Sequence, residues 1–301
     1  MSEPQHGWPA REPVGRIAYV NGRYIPHSIA AVHIEDRGLQ FADAIYEVVG
    51  VTAGTFLDEE EHLARLARSV DEIGMPMPAS PAVLKVITRE MARRNRLRDG
   101  LIYFQITRGA VRRDHAAPDR PPRPTLIVTA RSLDPTTIER RRQTGVRVIS
   151  HPDERWARCD IKSTALLPNI LAKTAARKAG AFEAWLVDKD GFVTEGSSTS
   201  AWIVTQEGRV ITRDLTNAIL PGVTRAIILK AAAEGQIPVV ERKFTLAEAF
   251  AAKEAFITAA TLGATAVIAI DGRQIGDGRP GALTRRVQEL YRHAAAARGK
   301  P

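Results

Sequence analysis

Cysteine is nearly absent from this chain. Of its 301 residues only Cys159 carries a thiol, so no intramolecular disulfide can form, and no Cys/His cluster has metal-ligand spacing. No structural metal is expected. Also missing is any apolar run near the roughly 20 residues that a membrane-spanning helix requires. The opening Met1-Ser2-Glu3-Pro4-Gln5-His6 lacks a basic region leading into an apolar stretch. Cytoplasmic residence, with no membrane partner, is the expectation. Neither a GxGxxG nor a Walker sequence occurs, and strand and helix patterns do not alternate as in a doubly wound nucleotide-binding fold.

Charge is present in excess of one sign. A formal charge of +9 would suit a nucleic-acid binder if Lys and Arg were gathered on one face. The densest clusters, Arg93-Arg94-Asn95-Arg96 and Arg140-Arg141-Arg142, instead sit on helix-like or linker segments with no interleaved aromatic residue. They read as solvated faces, and no nucleic-acid partner is expected. A mildly positive field also draws small anionic substrates and phosphorylated cofactors. With 44% hydrophobic and 26% charged residues, the chain has the composition of a globular protein of about two domains.

The pattern along the chain predicts two α+β domains. Ile17 to Val20, Asn21-Gly22 and Arg23 to Ile25 form a hairpin signal, since Asn-Gly suits the positive φ angles of a type I′ turn. A strand over 44–52, a helix over 60–73, a helix opened by Ser80-Pro81, and strands over 101–107 and 125–130 follow. The proline- and charge-rich stretch 112–124 reads as a loop, and 132–144 as an interdomain connection. The boundary falls between a smaller domain, 1–134, and a larger one, 135–301. In the latter, helices over 167–179 and 223–234 end at Gly180 and Gly235, hairpin turns sit at Asp188-Lys189-Asp190-Gly191 and Glu207-Gly208, and Thr245-Leu246-Ala247-Glu248 is a capping box.

Three stretches carry possible chemistry. In Arg158-Cys159-Asp160-Ile161-Lys162-Ser163 a lysine lies between a strand and an apolar helix start. Such a lysine can simply extend to solvent; as a nucleophile towards a carbonyl it must present a free amine. Thr194-Glu195-Gly196-Ser197-Ser198-Thr199-Ser200 sets a carboxylate before small hydroxyl residues. It is either a solvated turn or a place where Glu195 keeps the ring nitrogen of a flat cofactor protonated. Pro221-Gly222-Val223-Thr224 opens a helix whose free N–H groups suit an anion.

These stretches, in this order and spacing, resemble those of class IV aminotransferases. The likeness extends to Glu47-Val48-Val49 after Tyr46, Glu61-His62-Leu63 before Arg65, and Tyr103-Phe104-Gln105-Ile106-Thr107-Arg108-Gly109, and runs from about Val14 to Arg292. It implies a fold-type IV, two-domain α+β enzyme that is a homodimer with pyridoxal 5'-phosphate between its domains. It implies that Lys162 is the Schiff-base lysine and proton shuttle, that Glu195 faces the pyridine nitrogen, and that Arg65, Val223 and Thr224 bind the phosphate. At Thr258-Ala259-Ala260-Thr261 the chain departs from a family pattern that places Ser or Thr at the second or third position, leaving backbone N–H groups or Thr261 to make that contact.

Lysine and glutamate are common to the family, so the substrate must be read elsewhere. In Arg108-Gly109-Ala110-Val111-Arg112-Arg113-Asp114-His115, the Arg113/His115 pair resembles that of D-amino acid aminotransferases, which implies a trap for the substrate carboxylate built with Tyr46. The expected reaction is ping-pong transamination between a D-amino acid such as D-alanine and a 2-oxo acid such as 2-oxoglutarate. A branched-chain L-amino acid aminotransferase is the alternative, followed by an aminodeoxychorismate lyase and an R-selective amine transaminase. A basic nucleic-acid-binding or structural protein is the non-enzymatic alternative.

Overall fold

The computed structural model describes residues 15–298; the opening Met1 to His6 and Val14 lie outside them. β1 (Ile17–Val20) and β2 (Arg23–Pro26) form the expected hairpin. Asn21 and Gly22 both have positive φ, 47° and 93°, as a type I′ turn requires. Then come α1 (Arg37–Phe41), β3 (Ala44–Thr52), β4 (Thr55–Leu57), α2 (Glu59–Glu72), α3 (Pro81–Arg94), β5 (Gly100–Thr107) and β6 (Thr125–Ser132). The six strands make one antiparallel sheet in the order β2-β1-β6-β5-β3-β4.

Period-two alternation along β3 decides which residues this sheet buries. Ile45, Val49 and Val51 pack with Leu63, Leu66 and Val70 of α2 and Leu84, Ile87 and Met91 of α3. Tyr46 and Val48, on the other face, are only half-buried. Glu47 falls in the apolar stripe and is fully buried, which requires compensating partners.

The chain continues as α4 (Pro135–Thr144), β7 (Val146–Pro152), α5 (Leu167–Lys178), β8 (Glu183–Val187), β9 (Phe192–Gly196), β10 (Ser200–Val204), β11 (Val210–Thr212) and α6 (Val223–Glu234). β12 (Val239–Glu241), β13 (Phe244–Thr245), α7 (Leu246–Phe250), β14 (Glu254–Ala259), β15 (Gly263–Ile270), β16 (Arg273–Gln274) and α8 (Ala282–Arg298) complete it. Its 10-stranded sheet runs β12-β11-β10-β14-β15-β7-β8-β9-β13, with β16 on β15. The pairs β15–β7, β7–β8 and β11–β12 are parallel and the others antiparallel. The fold is α+β. Among the described residues no helix is long and apolar enough to cross a membrane.

Two local readings change. Much of the segment expected to be a connection is the helix α4, whose N-cap Asp134 accepts from the N–H groups of Thr136 and Thr137. It buries no residue, so periodicity had no apolar stripe to register. Its Arg142 Nε donates to Leu262 O at 3.2 Å, and Arg141 lies over the Phe182 ring. The second change concerns residues 160–164, which lie beyond the end of β7 and bridge to the first sheet at Ile45 and Ser163. Tyr46 N donates to Lys162 O at 2.9 Å, Thr164 N to Ala44 O at 3.0 Å, and Ile161 belongs to the first core. Arg93 and Arg94, of the first basic cluster, both pair with Glu90.

Leu66 is fully buried at the centre of the first core. Leu66→Ala should therefore destabilise the protein by about 2–5 kcal/mol, from lost transfer energy plus a cavity. Denaturant unfolding checks this, and a change within error would show that α2 does not depend on that contact.

Candidate active site

Both sheets contribute to a cavity of about 420 Å³. β3 supplies Tyr46 to it, α2 supplies Arg65, and the segment that crosses between the sheets supplies Lys162. From the second sheet come Glu195 at the end of β9, the turn Gly196 to Thr199, the start of α6 and the β14–β15 turn from Thr258 to Leu262. Lys162 Nζ lies 4.2 Å from the centre of the Tyr46 ring. That ring stacks on Tyr103 at 5.8 Å, and burial pushes the Tyr103 hydroxyl up to about 12.

Arg65 is oriented by Glu47. Its Nε and Nη2 donate to the two carboxylate oxygens at 2.8 and 2.7 Å, a fork-to-fork pair. His62 Nδ1 lies 3.0 Å from Glu47 Oε1. Burial alone would raise the Glu47 carboxyl, but Arg65 and His62 outweigh it and hold it well below the ordinary range. Arg65 Nη1 then donates to Pro221 O at 3.0 Å, across to the entry of α6. Here Gly222 is the N-cap and provides no side-chain cap, and Gly222, Val223 and Thr224 line the cavity, so the uncapped start of α6 suits an anion there.

Glu195 is buried, and burial pushes its carboxyl above the usual range while the Arg155 guanidinium pulls it down. Arg155 Nη1 donates to Glu195, and Leu220 N donates to the same carboxylate oxygen at 3.2 Å. Arg155 is itself held by Asp153 at 2.9 and 2.8 Å and by Ala218 O at 3.0 Å. Leu220 and Pro221, adjacent in sequence, thus tie Glu195 to Arg65. Cys159 also lines the cavity; burial pushes its thiol up to about 11, so it is protonated near neutral pH and a poor nucleophile. The described residues hold no group of three or more His, Cys, Asp or Glu able to bind a metal.

The structure brings Lys162, Tyr46, Arg65, Glu195, Val223 and Thr224 to one cavity. Arg113 and His115 are absent from its wall: both are exposed and rest against Phe41, Arg113 Cζ at 5.0 Å from the ring centre and His115 at 5.4 Å. Ala259 and Ala260 line the cavity without a hydroxyl between Thr258 and Thr261. Trp202 Nε1 holds the Thr258 Oγ1 at 2.9 Å, and a side chain at Gly50 would meet Ala260 O at 2.9 Å. This turn is therefore fixed from both sheets. Sequence reasoning missed Arg155 and the role of Glu47. A carboxylate in an apolar alternation was a usable signal for Glu47; Asp153-Glu154-Arg155 carries none that distinguishes it from a surface turn.

Arg155 is the cation that keeps Glu195 ionisable. Removing it as Arg155→Met leaves burial unopposed, so the Glu195 carboxyl should rise further. If the ionised form is the active one, the acidic limb of the pH–rate profile should move to higher pH, read from kcat between about pH 5 and 9. An unmoved limb would separate Arg155 from the ionisation of Glu195.

The family model for amino-transferase class IV matches residues 44–270. A D-alanine aminotransferase from Bacillus licheniformis is 41% identical over 274 residues, covering 91% of this chain and 95% of the relative. One from Listeria innocua is 37% identical over 273 residues, covering 90% and 93%. Among solved structures, the T.th. branched-chain amino acid aminotransferase with pyridoxamine 5'-phosphate superposes with a TM-score of 0.85 at 26% identity, covering 95% of this chain and 96% of that one. The branched-chain amino acid aminotransferase of Escherichia coli shares the fold, with a TM-score of 0.84 at 24% identity over 95% and 96% of the two chains. The protein belongs to the class IV aminotransferases.

Proposed function

We propose that this aminotransferase moves an amino group between a D-amino acid, with D-alanine the first donor to test, and a 2-oxo acid such as 2-oxoglutarate, using pyridoxal 5'-phosphate. The observation that carries the reaction is the convergence of Lys162, Glu195, Arg65 and the α6 start on one cavity. The D-specific reading is supported by the D-alanine aminotransferases that are 41% and 37% identical over nine-tenths of the chain.

The donor set fits the cofactor. Arg65 and the uncapped α6 start, with Val223 and Thr224, suit a phosphate; a buried Thr199 Oγ1 with no partner among the described residues offers a further polar contact. The β14–β15 turn offers backbone N–H groups where Ala259 and Ala260 lack hydroxyls. When bound, the cofactor supplies an electron-accepting pyridine ring. Glu195 holds the proton at its nitrogen. Lys162 is the covalent anchor, and its released amine takes the proton from the substrate Cα in one half-reaction and returns one in the other. Tyr46 packs against the Lys162 amine and confines it to one side of the cavity.

Tyr46, Arg113 and His115 together hold the substrate carboxylate, and a homodimer reconciles this role with their separation within one chain. Arg113 and His115 serve the cavity of a second copy. Exposed Ile29, Ile34, Leu39, Leu167, Ile170 and Leu171 support such an assembly by offering apolar surface to cover. Division at residue 134/135 into a smaller and a larger domain, and cytoplasmic residence, belong to the same reading. The likeness to branched-chain enzymes keeps an L-selective enzyme as the second reading.

Lys162→Ala should abolish turnover with the fold intact; wild-type rates in this variant would remove Lys162 from catalysis. A panel of paired D and L donors decides the substrate: D-alanine or D-glutamate should yield 2-oxo acid far faster than L-leucine or L-valine, and the reverse order establishes the branched-chain reading. Mixing inactive Lys162→Ala with Arg113→Ala chains tests the shared site. One cavity in each mixed dimer would then hold both an intact Lys162 and an intact Arg113, so activity should rise above that of either variant alone. No rise after verified subunit exchange would place the trap within one chain.

A further inference from the structure

The loop that carries Arg113 and His115 is exposed, yet its backbone is held by a buried charge. Arg37, on α1, is 4% exposed. Its Nη1 donates to Asp114 O at 2.5 Å and to Ala116 O at 3.3 Å, and its Nη2 donates to His115 O at 3.2 Å. Among the described residues, every hydrogen bond that holds 114–116 from outside the loop comes from this guanidinium. The other side of the group faces Asp43, with Nε donating to Oδ2 at 2.8 Å. Asp43 directly precedes β3, the strand of Tyr46, and also accepts from Arg108 Nε at 2.7 Å.

The same helix organises the side chains. Arg37 Cζ lies 4.8 Å from the centre of the Phe41 ring and Arg113 Cζ 5.0 Å from it, with the His115 ring at 5.4 Å. α1 also grips the loop at its root, where Arg37 N donates to Gly109 O at 3.0 Å and Asp36 bridges Ala110. A side chain at Gly38 would come within 2.4 Å of Thr107 Cγ2, so the glycine is what lets α1 lie this close to β5.

We infer that Arg37 is the positioning residue of the substrate-carboxylate trap, with Phe41 as the platform on which Arg113 and His115 are set; this rests on the trap reading given above. A guanidinium suits the task because one planar group can bind a carboxylate and three carbonyl oxygens at once, which a lysine ammonium cannot. Ordering the loop before substrate arrives removes that cost from binding. Arg37 thus acts through Arg113 and His115, and in the homodimer it acts on the neighbouring copy's cavity.

The experiment measures KM and kcat for D-alanine in the cofactor-loaded enzyme for Arg37→Lys, Phe41→Leu, Arg113→Ala and the pair Arg37→Lys/Arg113→Ala. A contact to the carboxylate made equally in ground and transition states appears in KM, whereas loss of folded enzyme lowers kcat alone. Arg37→Lys and Phe41→Leu should raise KM on the order of tenfold with kcat within about twofold, as loss of uniform substrate binding predicts. The pair should raise KM by less than the product of the two single effects, because the part of Arg37's role that runs through Arg113 is already lost and only its hold on His115 remains. If Arg113→Ala raises KM while Arg37→Lys and Phe41→Leu leave it unchanged, the positioning role is overturned and the trap stands. If Arg113→Ala itself leaves KM unchanged, the trap reading fails and the inference with it. Should Arg37→Lys not fold, Phe41→Leu alone decides: a raised KM supports the role and an unchanged KM overturns it.

Discussion

The Glu47 carboxylate lies fully buried in an apolar strand face, and much of the site follows from satisfying it. An isolated buried carboxylate is prohibitively costly, so it must be met by donors in fixed geometry. Arg65 and His62, three residues apart on α2, meet it from one helix face. That sets the rotation of α2 against the first sheet. The remaining Arg65 donor is then left pointing at Pro221 O, beside the α6 N–H groups. One buried charge thus orients a cation, a helix and the approach of the second sheet.

A second buried pair supplies the opposite electrostatic pole. Glu195 lies near the end of β9 and Arg155 just beyond β7, and burial and attraction act on the carboxyl in opposite directions. Neither group titrates alone. Because Leu220 N reaches Glu195 and Pro221 O receives Arg65, the two poles are joined through a single peptide stretch. A cofactor with an anionic end and a basic ring nitrogen matches that arrangement, which also explains why the wall between them is made of small residues such as Gly196, Ser197 and Gly222. A Cβ at Gly222 would already lie 3.1 Å from Ser200 Oγ.

Much of the fold was legible because its signals are local. The Asn21-Gly22 turn, the Ser80-Pro81 helix start, the Thr245 to Glu248 capping box and Gly180 after α5 depend on φ preferences and near-neighbour hydrogen bonds; after α6 the positive φ falls on Gln236, at 56°, while Gly235 sits at −82°. The helix α4 was not legible, since a helix that buries nothing leaves no stripe. Arg155 was equally silent: its partners Asp153, Glu195 and Ala218 include groups far along the chain, and side-chain type alone does not separate it from a surface arginine.

By itself, the sequence determined most of the elements, though not α1 or α4, together with the α+β class and the order of the chemistry-bearing stretches, because periodicity, capping and spacing are written in neighbouring residues. Only the tertiary structure decided where those stretches meet. Lys162 reaches Tyr46 because residues 160–164 extend the edge of the first sheet, where Ile161 finds an apolar core and the β3 backbone finds hydrogen-bond partners. Arg113 and His115, read as companions of Tyr46, lie instead on Phe41 at the surface. Their loop follows the carbonyl groups that Arg37 can reach, a constraint between residues more than 70 positions apart that no local pattern encodes.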